Sequence, residues 1–302
     1  MDFINRSPDS PLRQALRLFF RQRLAIIGLS IIGLIAFSAL FASQIAPYDP
    51  TEVLIGVEPV KKREAPCIHL LGCPSDRPQH IMGIDGNVRD HFSRIVYGSR
   101  ISLMVGFVTV SFALAVGVFL GAVSGYLGGW VDDVIMRTLD VLLAFPSLLL
   151  AIAIVSVLGP GLTNAMLAIA IVTIPHYARV MRSVVLSAKE QEYVTAARAL
   201  GYTGARILFR HILPNAISPL IVLATLGVGT AILDAAALSF LGLGAQPPTP
   251  EWGAMLSAER NQLFSAPHLV FFPGAAIALT VLGFNLMGDG LRDAIDPRMK
   301  NR

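Results

Sequence analysis

Long apolar segments alternate with short polar ones along the chain of 302 residues. A helix needs about 20 mainly apolar residues to cross the hydrocarbon core of a membrane. The first apolar segment exceeds the apolar core of a signal peptide and is followed by no clear cleavage site, so we expect it to stay in the membrane. The pattern as a whole predicts six membrane-spanning helices, at 24–46, 101–124, 134–158, 162–177, 217–241 and 269–288.

The polar segments divide the chain further. Residues from about 90 to 100 have an amphipathic pattern that predicts a helix at the outer membrane surface. The N-terminal segment is predicted to be an amphipathic helix on the inner surface, with a disordered basic tail as the alternative. The predicted units are 1–23 (cytoplasmic amphipathic segment), 24–46 (first span), 47–97 (outer loop), 98–289 (second to sixth spans) and 290–302 (cytoplasmic tail).

Composition and charge support a membrane protein and predict its orientation. Hydrophobic residues make up 54% of the chain and charged residues 15%, against about 25% charged residues in a typical soluble domain. If both termini are cytoplasmic, the cytoplasmic segments hold 16 of the 24 Lys and Arg residues, as the positive-inside rule requires. These residues form no compact basic face with interleaved aromatic side chains, so we predict no nucleic-acid site.

One polar segment carries a motif. The chain has E-Y-V-T-A-A-R-A-L-G at 192–201 and H-I-L-P-N at 211–215. This resembles the EAA loop of ABC importer permeases, whose pattern is E-A-A-x3-G-x9-I-x-L-P. Thr195 stands where the pattern has Glu, and His211 where it has Ile. The matching residues are Ala196, Ala197, Gly201, Leu213 and Pro214.

Other segments extend the resemblance to nearly the whole chain, except for 51–82. The stretches 46–48, 98–103, 246–253 and 284–293 are similar to the C-type subunit of dipeptide and oligopeptide importers. The resemblance implies an all-α, six-helix, MetI-like permease fold of the type I importers. It also implies a multi-pass subunit of the inner (plasma) membrane, surrounded by membrane lipid. The implied partners are a second homologous permease subunit, one or two ABC ATPase subunits, an extracytoplasmic substrate-binding protein and a peptide substrate.

The chain itself has no P-loop, because none of its lysines follows G-x4-G. We therefore expect no enzyme activity and no cofactor in this chain, with ATP and Mg²⁺ bound by the partner ATPases. The resemblance places the contact with those ATPases in the EAA loop, at about 186–215. The residues assigned to coupling are Glu192, Tyr193, Thr195, Ala196, Ala197, Arg198, Leu200, Gly201, Leu213 and Pro214.

The periodicity of the EAA loop agrees with this assignment. Tyr193, Ala196, Ala197 and Leu200 follow i, i+3, i+4, i+7 spacing and predict one apolar helical stripe. Gly201 suits the C-terminus of that helix. An exposed amphipathic helix can dock in a groove of a partner. The alternative from periodicity alone is a connector helix that packs on its own bundle.

Isolated polar residues give weaker hypotheses. Asp234 in the fifth span and Asn285 in the sixth are candidates for the translocation path or the subunit interface, with satisfied buried groups as the alternative. Arg137 and Asp140 have i, i+3 spacing and are expected to pair. Glu251 and Trp252 are candidates for contact with the binding protein, with an interfacial aromatic anchor as the alternative for Trp252.

The predicted outer loop contains Cys67 and Cys73, where a disulfide can persist, and an open pair is the alternative. His69 and His80 lie nearby, but their spacing matches no common zinc site, so we predict no metal. Three glycines that repeat every four residues predict close helix packing rather than chemistry: Gly117, Gly121 and Gly125.

Two other function classes remain as alternatives. A secondary transporter is compatible with six spans and with Asp234, but it leaves the EAA spacing unexplained. An intramembrane enzyme is disfavoured because the chain contains neither H-E-x-x-H nor G-x-S-x-G. If the chain is a permease, nickel or another small solute is the alternative to a peptide as its substrate.

Overall fold

A computed structural model describes residues 17–295, and the regular elements within that range are helical. Backbone pairing of the β type is limited there to isolated bridges, such as that between Cys67 and His80. Short 3-10 turns lie at His69–Leu71 and Arg260–Gln262. The helices are α1 (Arg23–Leu40), α2 (Ala42–Ile45), α3 (His91–Leu127), α4 (Gly129–Leu143), α5 (Ser147–Leu158), α6 (Leu162–Lys189), α7 (Glu192–Ala199), α8 (Gly204–Ile207), a π-helical segment (Leu208–Ile212), α9 (Leu213–Phe240), α10 (Trp252–Glu259) and α11 (His268–Ile295).

Within the described residues, five helical stretches are long and apolar enough to span a membrane: α1, α3, α6, the stretch from α8 to α9, and α11. The pair α4 and α5 makes a sixth span if it is counted as one, but the two helices meet at an angle of 92°. The span predicted at 134–158 thus coincides with this pair, but it is broken into two helices rather than continuous. Pro146 stands at the break, where a proline removes a backbone donor and restricts the residue before it.

Several helix ends differ from the prediction. The surface helix expected at about 90–100 is instead the first part of α3, so the predicted domain boundary at residue 98 falls inside a helix. The side chain of Asp90 caps α3 by accepting a hydrogen bond from the backbone N–H of Ser93 at 2.7 Å. A single residue, Gly128, separates α3 from α4. Helix α6 continues twelve residues beyond Tyr177, carrying basic residues that pair with α4.

The bundle is built around close packing of α3 on α6. A Cβ placed on Gly117 would lie 2.6 Å from Cβ of Tyr177, and one placed on Gly121 would overlap the carbonyl oxygen of Ala178. A Cβ on Gly125 would lie 3.0 Å from Cβ of Val185. The glycine repeat thus allows the two backbones to approach, which confirms the prediction of close helix packing.

The bundle has two polar ends, separated by the 28 residues of α9, or about 42 Å of helix. We call the end with residues 188–212 the EAA face, and the end with 47–90 and 241–267 the disulfide face. On the disulfide face, polar side-chain contacts join residues 47–90 to residues 241–267. Arg94 donates hydrogen bonds to the carbonyl oxygens of Pro50 (2.7 Å) and Pro248 (3.2 Å), and Arg63 pairs with Glu259 at 2.8 Å.

The predictions for 1–16 and 296–302 lie outside the described residues.

Candidate functional site

The EAA helix α7 presents one face to its own bundle and another to the outside. Val194 and Ala197 are buried, and they share an apolar cluster with Met181, Val185 and other residues of α6 and α9. Ala196 is exposed, as are Tyr193 (40% exposed) and Leu200 (73% exposed). The four residues of the predicted apolar stripe are therefore not all on the exposed face of α7. The exposed part of the stripe is a surface that a partner can reach, whereas Ala197 packs inward against the bundle. The assignment of these residues to ATPase coupling stays a prediction.

A glycine ends this helix, as predicted. Gly201 has φ of +79°, a left-handed conformation that suits a residue without a Cβ. Its N–H donates to the carbonyl of Arg198 (2.9 Å), and the N–H of Tyr202 donates to that of Ala197 (3.1 Å). These two bonds are the pattern of a Schellman C-cap. The cap fixes the direction in which the chain leaves α7.

Beyond the cap, an aromatic stack leads into the next span. The rings of Tyr202 and His211 stack with their centroids 5.7 Å apart, and the guanidinium of Arg206 lies 4.7 Å from the Tyr202 ring centroid. His211, one of the two departures from the EAA pattern, thus has a packing role on the EAA face. Leu213 begins α9, and Pro214 follows it directly after the π-helical segment.

Sequence reasoning missed two residues of this site. Val194 is buried in the contact between α7 and the bundle, and Phe209 is 66% exposed within the π-helical segment of the EAA face. The spacing of Val194 and Ala197 was an available signal for an inward face. No sequence signal distinguished a π-helical segment from the α-helix on either side of it.

Ion pairs connect α6 with the start of the broken span. Asp132 accepts two hydrogen bonds from Arg182, at 2.6 and 2.5 Å, and one from the hydroxyl of Ser124 at 2.5 Å. Asp140 pairs with Arg179 at 2.6 Å. The predicted pair of Arg137 with Asp140 is therefore wrong. The i, i+3 spacing on one helix is overridden by an arginine of a neighbouring helix, which the sequence pattern could not place.

The polar residues of the fifth and sixth spans lie in different environments. Asp234 is partly buried in α9 and has no hydrogen-bond or ion-pair partner among residues 17–295. Asn285 is exposed and lines an open apolar cavity of about 820 Å³ between α9 and α11. Leu233 and Ala237 line the same cavity, but Asp234 does not. The assignment of Asp234 and Asn285 to a translocation path stays a prediction.

Glu251 and Trp252 are buried, with 3% and 2% of their surfaces exposed. The carboxylate of Glu251 accepts hydrogen bonds from the backbone N–H groups of Gly253 and Ala254 and caps α10. The indole N–H of Trp252 donates to the carbonyl of Ile95 at 3.0 Å. These side chains tie α10 to α3 and offer no surface to a docked protein. The predicted contact with a binding protein is thus corrected to a packing role, and so is the interfacial-anchor alternative for Trp252.

A disulfide joins Cys67 to Cys73, as one of the two alternatives predicted. His69 lies inside this loop, and its Nε2 is 2.8 Å from the carbonyl oxygen of Arg77. Residues 17–295 contain no group of three or more His, Cys, Asp or Glu side chains arranged to hold a metal ion.

His80 lies between two carboxylates. Its Nδ1 is 2.8 Å from Asp90, its Nε2 is 3.0 Å from Glu58, and its ring stacks on Tyr48, whose hydroxyl donates to Glu58. Burial lowers the pKa of His80, but the two carboxylates outweigh burial, and the net pKa is raised above its ordinary value. Through these contacts His80 joins Glu58 in residues 47–90 to Asp90, the cap of α3.

Comparison with known families agrees with this geometry. Residues 117–301 match the family described as the binding-protein-dependent transport system inner membrane component. Residues 10–62 match the N-terminal TM domain of oligopeptide transport permease C.

Close relatives span nearly the whole chain. The dipeptide transport system permease protein DppC of Alkalihalophilus pseudofirmus is 51% identical over 97% of this chain and 91% of its own length. DppC of Haemophilus influenzae is 45% identical over 97% of both chains. The glutathione transport system permease protein GsiD of Pectobacterium atrosepticum is 45% identical over 98% of this chain and 94% of its own.

A solved structure shares the fold. The inward-facing MetNI methionine ABC transporter contains a chain that aligns with a TM-score of 0.54 at 18% identity, covering 68% of this chain and 97% of that one. The all-helical, MetI-like fold predicted from the EAA motif is thereby confirmed. The chain belongs to the family of inner membrane components of binding-protein-dependent transport systems.

Proposed function

We propose that this chain is a permease subunit of an ATP-driven importer for dipeptides or oligopeptides. The observation that carries the proposal is the exposed half of the EAA helix, which matches the spacing of an ATPase-docking loop and lies on a surface that the bundle leaves open. Relatives named for dipeptide and glutathione transport support a peptide substrate over nickel or another small solute.

The proposed assembly contains this chain, a second homologous permease, one or two ABC ATPases and an extracytoplasmic binding protein. ATP and Mg²⁺ are bound by the ATPases, since the sequence offers no P-loop lysine. Closure of the ATPases moves α7, and the bundle changes which end of the path is open. The EAA face is cytoplasmic in this proposal, and the disulfide face receives the loaded binding protein.

Two substitutions on adjacent residues of α7 test the coupling surface. Ala196 belongs to the exposed part of the apolar stripe, and Ala196→Glu places an unpaired carboxylate in the proposed contact. Such a group disfavours the contact by more than about 1.4 kcal/mol, so we expect uptake to fall about tenfold or more. The control is Thr195→Glu, which adds the same charge on an exposed position outside the stripe and restores the glutamate of the EAA pattern.

The measurement is ATP-dependent uptake of a labelled dipeptide into proteoliposomes that hold the full complex, together with recovery of the ATPase in pull-downs of this subunit. Thr195→Glu is expected to keep both. If Ala196→Glu retains normal uptake and ATPase recovery, α7 is not the docking helix. If the unmodified subunit recovers no ATPase, the importer proposal itself is wrong.

A further inference from the structure

Helix α6 runs directly into the EAA helix. Only Glu190 and Gln191 separate Lys189, the last residue of α6, from Glu192. The inward face of α7 packs in the same apolar cluster as Met181 and Val185 of α6. A displacement of α7 is therefore transmitted to the last three turns of α6 by the two-residue connection and by the shared apolar contacts.

The same part of α6 is joined to α4 by directional polar contacts. Arg179 and Arg182 are one helical turn apart on one face of α6. Arg182 forms two hydrogen bonds with Asp132, and Arg179 forms one with Asp140. Paired N–H···O bonds between a guanidinium and a carboxylate fix orientation as well as distance. The hydrophobic effect that favours apolar packing is non-directional and supplies no comparable angular constraint.

Helix α4 is the first half of the broken span, and α5 is the second half, at 92° to it. In the second half, Ala151 and Val155 are buried in the apolar core together with Ala165 and Ala168 from the start of α6. Helix α4 also contributes Leu139 to this core. What distinguishes the two halves is that ion pairs join α4 to α6 near the EAA face, whereas apolar contacts hold α5 toward the disulfide face.

We propose that Asp132, Asp140, Arg179 and Arg182 are positioning residues that make α4 move with the EAA helix, so that the bend between α4 and α5 changes when the ATPases close. This inference rests on the proposed function, because it assigns a route by which motion of α7 enters the spans. The four residues act through α6 and bind neither nucleotide nor substrate.

Charge exchange between Arg179 and Asp140 tests this role. Arg179→Asp and Asp140→Arg each break the pair, and the double variant restores it with the charges reversed. Arg137→Asp is the matched control, because it replaces an arginine by aspartate one turn from Asp140 on α4, and Arg137 forms no ion pair among residues 17–295. All variants are studied as full complexes in proteoliposomes, with dipeptide uptake and ATP hydrolysis measured on the same preparation.

We expect each single variant to lower the uptake per ATP hydrolysed by about threefold, as the loss of a partly exposed ion pair implies. The double variant is expected to return to within about twofold of the unmodified ratio, and Arg137→Asp to leave it unchanged. A purely structural pair would lower assembled complex, hydrolysis and uptake in parallel and keep their ratio.

An unchanged ratio in both single variants would overturn the inference, and so would a double variant that shows no recovery. Equal loss with Arg137→Asp would also overturn it, because the effect would then follow charge on α4 rather than the pair. The proposed function fails separately, if uptake by the unmodified complex does not depend on ATP.

Discussion

At the scale of single residues, His80 links a loop to the N-terminus of α3 through two carboxylates. Its ring contacts Asp90, which caps α3, and Glu58, which lies in the loop on the disulfide face, while Tyr48 covers one face of the ring. The pKa of His80 is higher in the folded protein than in the unfolded chain, so the folded protein binds the proton of the imidazolium more tightly. The resulting stabilisation is fully present below the unfolded pKa of 6.5 and is lost as the pH rises through the folded pKa.

We therefore expect the melting temperature of the detergent-solubilised protein to fall as the pH is raised from about 6 to about 9, and His80→Gln to reduce this dependence. The control is His69→Gln in the same segment, since His69 contacts a carbonyl oxygen rather than a carboxylate. Thermal melts of the three proteins across that range are the measurement. Equal pH dependence in the unmodified protein and His80→Gln would show that the cluster contributes no proton-linked stability.

At the scale of elements, glycines determine how closely the two central helices approach. The backbones of α3 and α6 meet at Gly121, where any added side chain would overlap Ala178. Gly33 in α1, by contrast, has no atom within 4 Å of an added Cβ. The same residue type thus has different roles in two apolar helices, according to what lies opposite.

Gly121→Leu is expected to destabilise the protein by about 1–3 kcal/mol, because the added carbon atoms force α3 and α6 apart. Gly33→Leu adds the same atoms to an open position and is expected to have little effect. Melting temperature and membrane yield of both variants provide the comparison. A similar loss for the two variants would mean that helix flexibility, rather than the contact with α6, explains the role of Gly121.

At the scale of the whole molecule, the orientation of the bundle decides which partner meets which face. Phe264 on the disulfide face is 98% exposed and Phe209 on the EAA face is 66% exposed. In a background with Cys67→Ser and Cys73→Ser, we expect a membrane-impermeant maleimide to label Phe264→Cys from outside the inner membrane. Phe209→Cys is expected to react only after the membrane is permeabilised. The opposite labelling pattern would invert the topology proposed from the distribution of Lys and Arg.

The sequence alone determined that the chain spans a membrane, which segments do so, and where the EAA helix and its C-terminal glycine lie. These features depend on local composition and on short periodic spacing, and a helix in lipid must satisfy its backbone hydrogen bonds within itself. Family membership followed from the same local signals, because the spacing of Ala196, Gly201 and Pro214 is a property of one continuous segment.

The tertiary structure decided what each polar side chain contacts. Asp140 pairs with Arg179 and not with Arg137, and Trp252 is buried against Ile95 although its loop looked exposed. These outcomes depend on helices far apart in sequence, whose relative rotation is set by packing of the whole bundle. The inward position of Ala197 has the same origin, whereas the bend between α4 and α5 occurs at Pro146, a local feature of the sequence. Periodicity identifies the faces of a helix, but only the neighbouring helices determine which face is covered.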